Sequence, residues 1–198
     1  MCQFVETICL ENGVPRNLSY HEERLNRTRQ HFWQDCKPLM LAPYLNNLPS
    51  GEGRQKVRIV YSRQGITEVT ENQYIMRNVT SLRLVTSETI EYTFKSTDRK
   101  VLNDLAAQCG ECDEVLIVKH GEVTDTSYTN VAFLDGKQWY TPVHPILQGT
   151  MRASLLAKGL MVERQILANA LCCYSAIMLF NAMIAFGELV LPMSAIKH

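Results

Sequence analysis

The stretch from Ile166 to Gly187 carries no charged side chain, so a chain that contains it must either pass through a membrane or bury it. About twenty apolar residues span a bilayer as a helix. Asn169, Tyr174, Ser175 and Asn181 interrupt the run, however, and Gln165 and Glu188 flank it. We therefore read it as buried strands around a turn rather than as a membrane span. Ile177–Phe180 is expected to form one strand and Ile184 to Val190 to lead into another, with Asn181-Ala182-Met183 as the junction.

Burying such a run takes a sizeable core. A chain of 198 residues, 46% of them hydrophobic, can supply it as one large domain or two small lobes. The pattern along the chain favours two, a smaller α/β lobe over 1–90 and a larger one over 91–198. The first opens with a strand around Phe4 to Leu10 and a turn at Glu11-Asn12-Gly13. A helix follows from Ser19, with Glu22 placed to complete a capping box. Leu39 to Pro49 reads as irregular, Gly51-Glu52-Gly53 as a loop, and Val57–Arg63 and Leu82–Val85 as strands.

In the second lobe, Thr97 or Asp98 can cap a helix running through Ala107. Asp113–Val118, Val131–Leu134 and Gln138–Tyr140 read as strands, with Asp135-Gly136 as a hairpin turn. A last helix is expected from Gly149-Thr150-Met151, turning Met151, Leu155, Leu156 and Leu160 inward.

Charge and cysteine content narrow the partners. Twenty basic and twenty acidic residues give a formal charge of zero, which advertises neither nucleic acid nor an anionic membrane. Arg24, Arg27 and Arg29 make either a local anion site or a solvated helix face. The amino terminus shows no basic region followed by a long apolar stretch, so a cytoplasmic location is expected. The odd count of seven cysteines then argues for reduced thiols. Cys109-Gly110-Glu111-Cys112 has zinc or redox spacing, but zinc needs two more ligands and Cys172-Cys173 are adjacent rather than spaced. We expect no metal there, and read the segment as a helix-to-strand turn ended by Gly110.

Lys95 is the candidate for a Schiff-base lysine. It follows the aromatic run Tyr92-Thr93-Phe94, where a lysine can be desolvated, its pKa lowered and its amine freed to attack an aldehyde. Taken alone it proves little, since most lysines are solvated surface charges. Around it stand Glu6-Thr7-Ile8, Arg24-Leu25, Arg99 four residues on, Asp113 to Asn130, and Tyr140-Thr141-Pro142 through Leu147-Gln148-Gly149-Thr150-Met151-Arg152. In this order the five segments resemble the class IV aminotransferase family, the D-amino-acid aminotransferase-like, fold-type IV enzymes that use pyridoxal 5′-phosphate (PLP). Lys95 with Arg99, Ser62-Arg63 and Asn181-Ala182-Met183 look most like its aminodeoxychorismate lyase branch.

The resemblance implies an α+β fold of two lobes with the cofactor between them, the first lobe shortened because the chain starts at the strand holding Glu6. It implies that Lys95 forms the Schiff base with PLP and then moves a proton at the substrate's α-carbon. Asp125 stands where the family usually has glutamate, whose carboxylate keeps the pyridine nitrogen protonated. Being one methylene shorter, Asp125 must sit closer, act through water, or fall short. Arg24, the backbone of Gly149, Thr150 and Met151, and the turn at Asn181 and Ala182 are implied to hold the phosphate. Thr7 and Arg63 are candidate substrate contacts, with a plain strand residue and a strand-end surface charge as the alternatives.

Three functions follow from the resemblance: a lyase that releases pyruvate, as aminodeoxychorismate lyase does; an aminotransferase of the D-amino-acid or branched-chain type; or a degenerate PLP-binding relative with little turnover. Relatives close the site with a dimer partner, so a homodimer is also implied.

Overall fold

The computed structural model describes residues 2–46, 48 and 53–197. Two compact units are seen, one of Met1–Ile75 with Phe94–Asp98 and one of Met76–Thr93 with Arg99–His198. The expected lobes, 1–90 and 91–198, differ from these units at two places. Residues 76–90 go with the second unit, where Leu82–Thr86 pairs in parallel with Glu114–Lys119. Residues 94–98 go with the first, where Ser96 bridges Phe4.

In the first unit, β1 (Phe4–Glu11) turns through Asn12 and Gly13, both at positive φ, into the short edge strand β2 (Val14–Pro15). Helix α1 (Leu18–Phe32) follows, then the one-turn α2 (Ala42–Leu45) and the hairpin β3 (Arg54–Ser62) and β4 (Gly65–Gln73). The sheet order is β2-β1-β3-β4. Successive side chains alternate faces along a strand, and the antiparallel register sets Phe4 opposite Tyr61, Glu6 opposite Ile59 and Ile8 opposite Val57. That face carries the core with Leu10 and Leu25, so Glu6 is a carboxylate placed in an apolar stripe.

Two local expectations fail here. Helix α1 starts one residue earlier than Ser19, at an N-cap Asn17 in the left-handed region, and no side-chain cap forms. Ser19 thus lies inside the first turn, and Glu22 instead accepts the N–H of Leu41. The stretch Leu39 to Pro49, expected to be irregular, contains α2, with Pro43 in its first turn. Asn47, Pro49 and the expected loop residues Gly51 and Glu52 lie outside the described residues.

The second unit is built on a nine-stranded mixed sheet among the described residues. Its strands are β5 (Leu82–Thr86), β6 (Glu114–Lys119), β7 (Glu122–Thr126), β8 (Asn130–Asp135), β9 (Gln138–Pro142), β10 (Val162–Arg164), β11 (Ala176–Phe180), β12 (Val190–Pro192) and β13 (Ile196–Lys197). The main path runs β10-β9-β8-β7-β6-β5-β13, while β11 pairs with β8 and carries β12. Two helices join them, α3 (Lys100–Ala106) and α4 (Thr150–Ala157). The charge-free run is folded into a 3-10 turn (Ala168–Cys173), then β11, whose Ile177, Met178, Leu179 and Phe180 are fully buried, and then the junction at Asn181. No helix of the described residues is long and apolar enough to cross a membrane.

Helix α3 begins after Arg99, and neither Thr97 nor Asp98 caps it. The Asp98 N–H is held by the Ser96 hydroxyl, which keeps this segment in a turn of its own. Cys109 to Cys112 forms the turn after α3, closed by Cys112 N–H to the Cys109 carbonyl at 3.0 Å, with Gly110 at φ 61°. Leu160, expected inward, lies beyond the end of α4 and is exposed, whereas Met151 and Leu155 are buried.

Candidate active site

In the first unit the chemistry gathers around Glu6, which is fully buried. Helix α1 presents His21 and Arg24 three residues apart, on the same face as Leu25. Arg24 donates Nε–H to Glu6 Oε1 at 2.9 Å and Nη2–H to Oε2 at 2.5 Å, a two-pronged pairing. His21 Nδ1 lies 2.6 Å from Oε2. An ionised carboxylate only accepts, so Nδ1 carries the hydrogen. Burial alone would push the Glu6 pKa up; the charge of Arg24 and the hydrogen bonds from His21 and Arg24 outweigh it and hold the group at about 2. The His21 pKa is lowered, first by burial and then, against the pull of Glu6, by the positive charges of Arg24 and Lys95.

Lys95 is thereby within electrostatic reach of this cluster. Its backbone is fixed to β1, the Lys95 carbonyl accepting Val5 N–H at 2.9 Å. The neighbouring Phe94 packs in the first unit's core beside Phe4 and Phe32. Thr7 alternates to the face of β1 opposite Glu6 and is half-buried. Arg63 is exposed in the β3–β4 turn; its carbonyl and that of Ser62 accept from the buried Arg29, which pins the turn.

In the second unit Asp125 on β7 is buried and sits across from Asn130 on β8. Asn130 donates Nδ2–H to Asp125 Oδ1 at 2.8 Å and to the Leu147 carbonyl at 2.9 Å, and Leu147 N–H reaches Asp125 Oδ2 at 3.0 Å. Burial raises the Asp125 pKa to about 6, opposed by the hydrogen bonds from Leu147, Asn130 and Ile146 and least by the distant charge of Arg152. A carboxylate has about four lone-pair directions. Three neutral N–H donors leave room for one more.

Gly149 ties this carboxylate to helix α4. Its φ of −72° is open to any residue, but a Cβ there would lie 1.9 Å from Asn130 Oδ1. Gly149 is the N-cap, and the Ala153 N–H makes the bond back to its carbonyl at 3.0 Å. The N–H groups of Thr150 and Met151 therefore precede the first bond within the helix and lie at the positive end of its dipole. Asn181 shapes the other turn, accepting Met183 and Ile184 N–H at 2.8 and 3.0 Å and donating to the Tyr128 carbonyl at 3.2 Å, with Ala182 half-buried beside it. The Asp125–Asn130 turn is held further by Arg99 donating to the Ser127 carbonyl at 2.7 Å and by Glu114 accepting Ser127 N–H.

Lys95, Arg24, Thr7 and Arg63 thus belong to one unit, and Asp125, Gly149, Thr150, Met151, Asn181 and Ala182 to the other. Sequence reasoning gave no role to Glu6, His21 or Asn130. Glu6 could have been found as a charge among the inward positions Phe4, Ile8 and Leu10.

Residues 3–190 match the family described as amino-transferase class IV. An uncharacterized protein of Haemophilus influenzae is 36% identical over 186 residues, 92% of this chain and 98% of that protein. A solved Haemophilus somnus structure, described as a proposed 4-amino-4-deoxychorismate lyase, is 33% identical, covers 94% of this chain and 98% of its own, and superposes with a TM-score of 0.86. A hypothetical aminotransferase of Mycobacterium tuberculosis in its PLP-bound form, 17% identical, shares the fold with a TM-score of 0.77 over 98% of this chain and 81% of its own. The chain belongs to the class IV aminotransferase family and is an enzyme of its PLP-dependent, fold-type IV architecture.

Proposed function

We propose that this enzyme binds PLP through Lys95 and works at the α-carbon of an amino-acid-like substrate, in the manner of 4-amino-4-deoxychorismate lyase with release of pyruvate. The observation that carries the reading is Asp125, a buried carboxylate whose direct partners are all neutral. A protonated pyridine nitrogen is the cation that would complete it. When bound, PLP supplies an electron sink for the pair left at the α-carbon.

The remaining roles fall to the chain. Asp125 would keep the ring nitrogen protonated, and the new cation would draw its own pKa back down. The Lys95 ε-amine would take the proton from the α-carbon and, in the lyase reaction, pass it to the departing enolpyruvate, which leaves as pyruvate. Arg24 and the first turn of α4 would meet the phosphate, with the turn at Asn181 and Ala182 as a third hold. Arg63 and Thr7 stand as substrate contacts to be tested. We also propose a homodimer, which sedimentation would test.

The lyase branch is supported by the Haemophilus somnus relative and by a Schizosaccharomyces pombe protein, described as a proposed aminodeoxychorismate lyase, that is 40% identical over 72 residues. An aminotransferase of the same family is the second reading. It is supported by relatives of the same fold, among them the Mycobacterium tuberculosis aminotransferase bound to α-ketoglutarate and PMP at 17% identity. Pyruvate released from aminodeoxychorismate with no 2-oxo acid present establishes the lyase. Amino transfer that requires a 2-oxo acid establishes the aminotransferase, and cofactor binding with neither reaction leaves a degenerate relative.

A further inference from the structure

We propose that Glu6 is a positioning residue for the cofactor's phosphate, acting through Arg24; the proposal rests on the assignment of Arg24 to that phosphate. A carboxylate at the centre of the β1–α1 interface is costly to bury, and packing alone would be better served by an apolar residue. Its geometry points to orientation. Both oxygens are spent on one edge of the Arg24 guanidinium, at 2.9 and 2.5 Å, which sets the plane of the group. His21, one turn back on α1, then anchors Oε2 from a second direction at 2.6 Å.

A free arginine side chain gives up rotamer entropy when it is ordered. Here the ordering is completed during folding, so an arriving phosphate meets a cation already aimed. Charge neutralisation is the competing account, and it predicts the opposite result. If Glu6 only weakened Arg24, removing its charge would strengthen phosphate binding.

The test measures the affinity of PLP and of pyridoxal, which lacks the phosphate, for the purified apoprotein by absorbance titration. Glu6→Gln keeps the size and removes the charge. It is expected to lower PLP affinity about ten-fold while leaving pyridoxal unchanged, and to add nothing in an Arg24→Lys background. Tighter PLP binding, or an equal loss for both ligands, overturns the proposal. Should Glu6→Gln fail to fold, Glu6→Asp keeps the charge but pulls it back by one methylene; a wild-type ratio of PLP to pyridoxal affinity in that variant overturns the proposal as well. The two levels of failure are distinguishable. If Arg24→Lys itself leaves the ratio unchanged, the phosphate assignment of Arg24 falls; if only the Glu6 variants leave it unchanged, that assignment stands and Glu6 is structural.

Discussion

Glu6 and Asp125 are both buried carboxylates, yet they sit at opposite ends of the acid scale, at about 2 and about 6. Burial pushes both upward. The difference is that Glu6 has a guanidinium on its oxygens, while Asp125 has only the N–H groups of Asn130, Leu147 and Ile146. Dipoles soften the cost of a buried charge, and a contacting cation reverses it. One carboxylate is therefore paired with a cation inside the fold, and the other is buried among neutral donors alone. Each shift from the ordinary value is worth on the order of 3 kcal/mol, with opposite signs.

The largest effect should come from breaking that pair. Glu6→Ala leaves Arg24 buried without its counter-charge and is expected to destabilise the protein by about 3–5 kcal/mol in denaturant unfolding. A loss below 1 kcal/mol would mean that Glu6 is not the partner that satisfies Arg24.

The pH dependence separates the two groups next. Glu6, depressed in the folded state, contributes stability that is present above its ordinary pKa of 4.5 and is lost as pH falls from there toward 2. Asp125, raised in the folded state, works the other way. Its buried charge weakens the apoprotein as pH rises from about 4 to about 6. Asp125→Asn should flatten that upper limb of the stability profile and leave the acid limb in place. The same variant should cost on the order of 100-fold in turnover, because an amide cannot hold the ring proton. An unchanged upper limb would show that Asp125 is not the group responsible.

Smaller effects come from the scaffold. Gly149→Ala places a methyl where Asn130 Oδ1 now sits and should cost about 1–3 kcal/mol. PLP affinity should fall with it, since Asn130 can no longer hold both Asp125 and the Leu147 carbonyl. Arg63→Ala should change stability by less than about 0.5 kcal/mol, as expected of an exposed turn residue. A rise in KM in that variant would establish the substrate contact, and an unchanged KM would remove it.

Much of this molecule was legible in its sequence, but unevenly. The family and its fold followed from motifs whose order is long and specific. The buried strand Ile177–Phe180 and the hairpin at Asp135-Gly136 followed from apolar runs and turn residues. The failed caps at Ser19 and Thr97 have a common cause: capping residues are also good partners for other segments, and Leu41 took the Glu22 carboxylate while the Thr97 hydroxyl turned to the Gln3 carbonyl. Arg24, Arg27 and Arg29 read alike as a basic helix face, yet Arg24 and Arg29 are buried and Arg27 is exposed. Only the pairing of α1 with Glu6 on one strand and Ser62 on another tells them apart, and those partners are distant in sequence. Asn130 was visible as a motif residue, but its grip on Asp125 depends on the β7–β8 register and on the absence of a side chain at Gly149.

The claim at the centre is that Lys95 holds PLP, and borohydride reduction of the protein incubated with PLP, followed by peptide mass spectrometry, addresses it most directly. The account predicts a phosphopyridoxyl group on the peptide containing Lys95, and none in Lys95→Ala. A cofactor that reduces onto another lysine, or no adduct at saturating PLP, would contradict it.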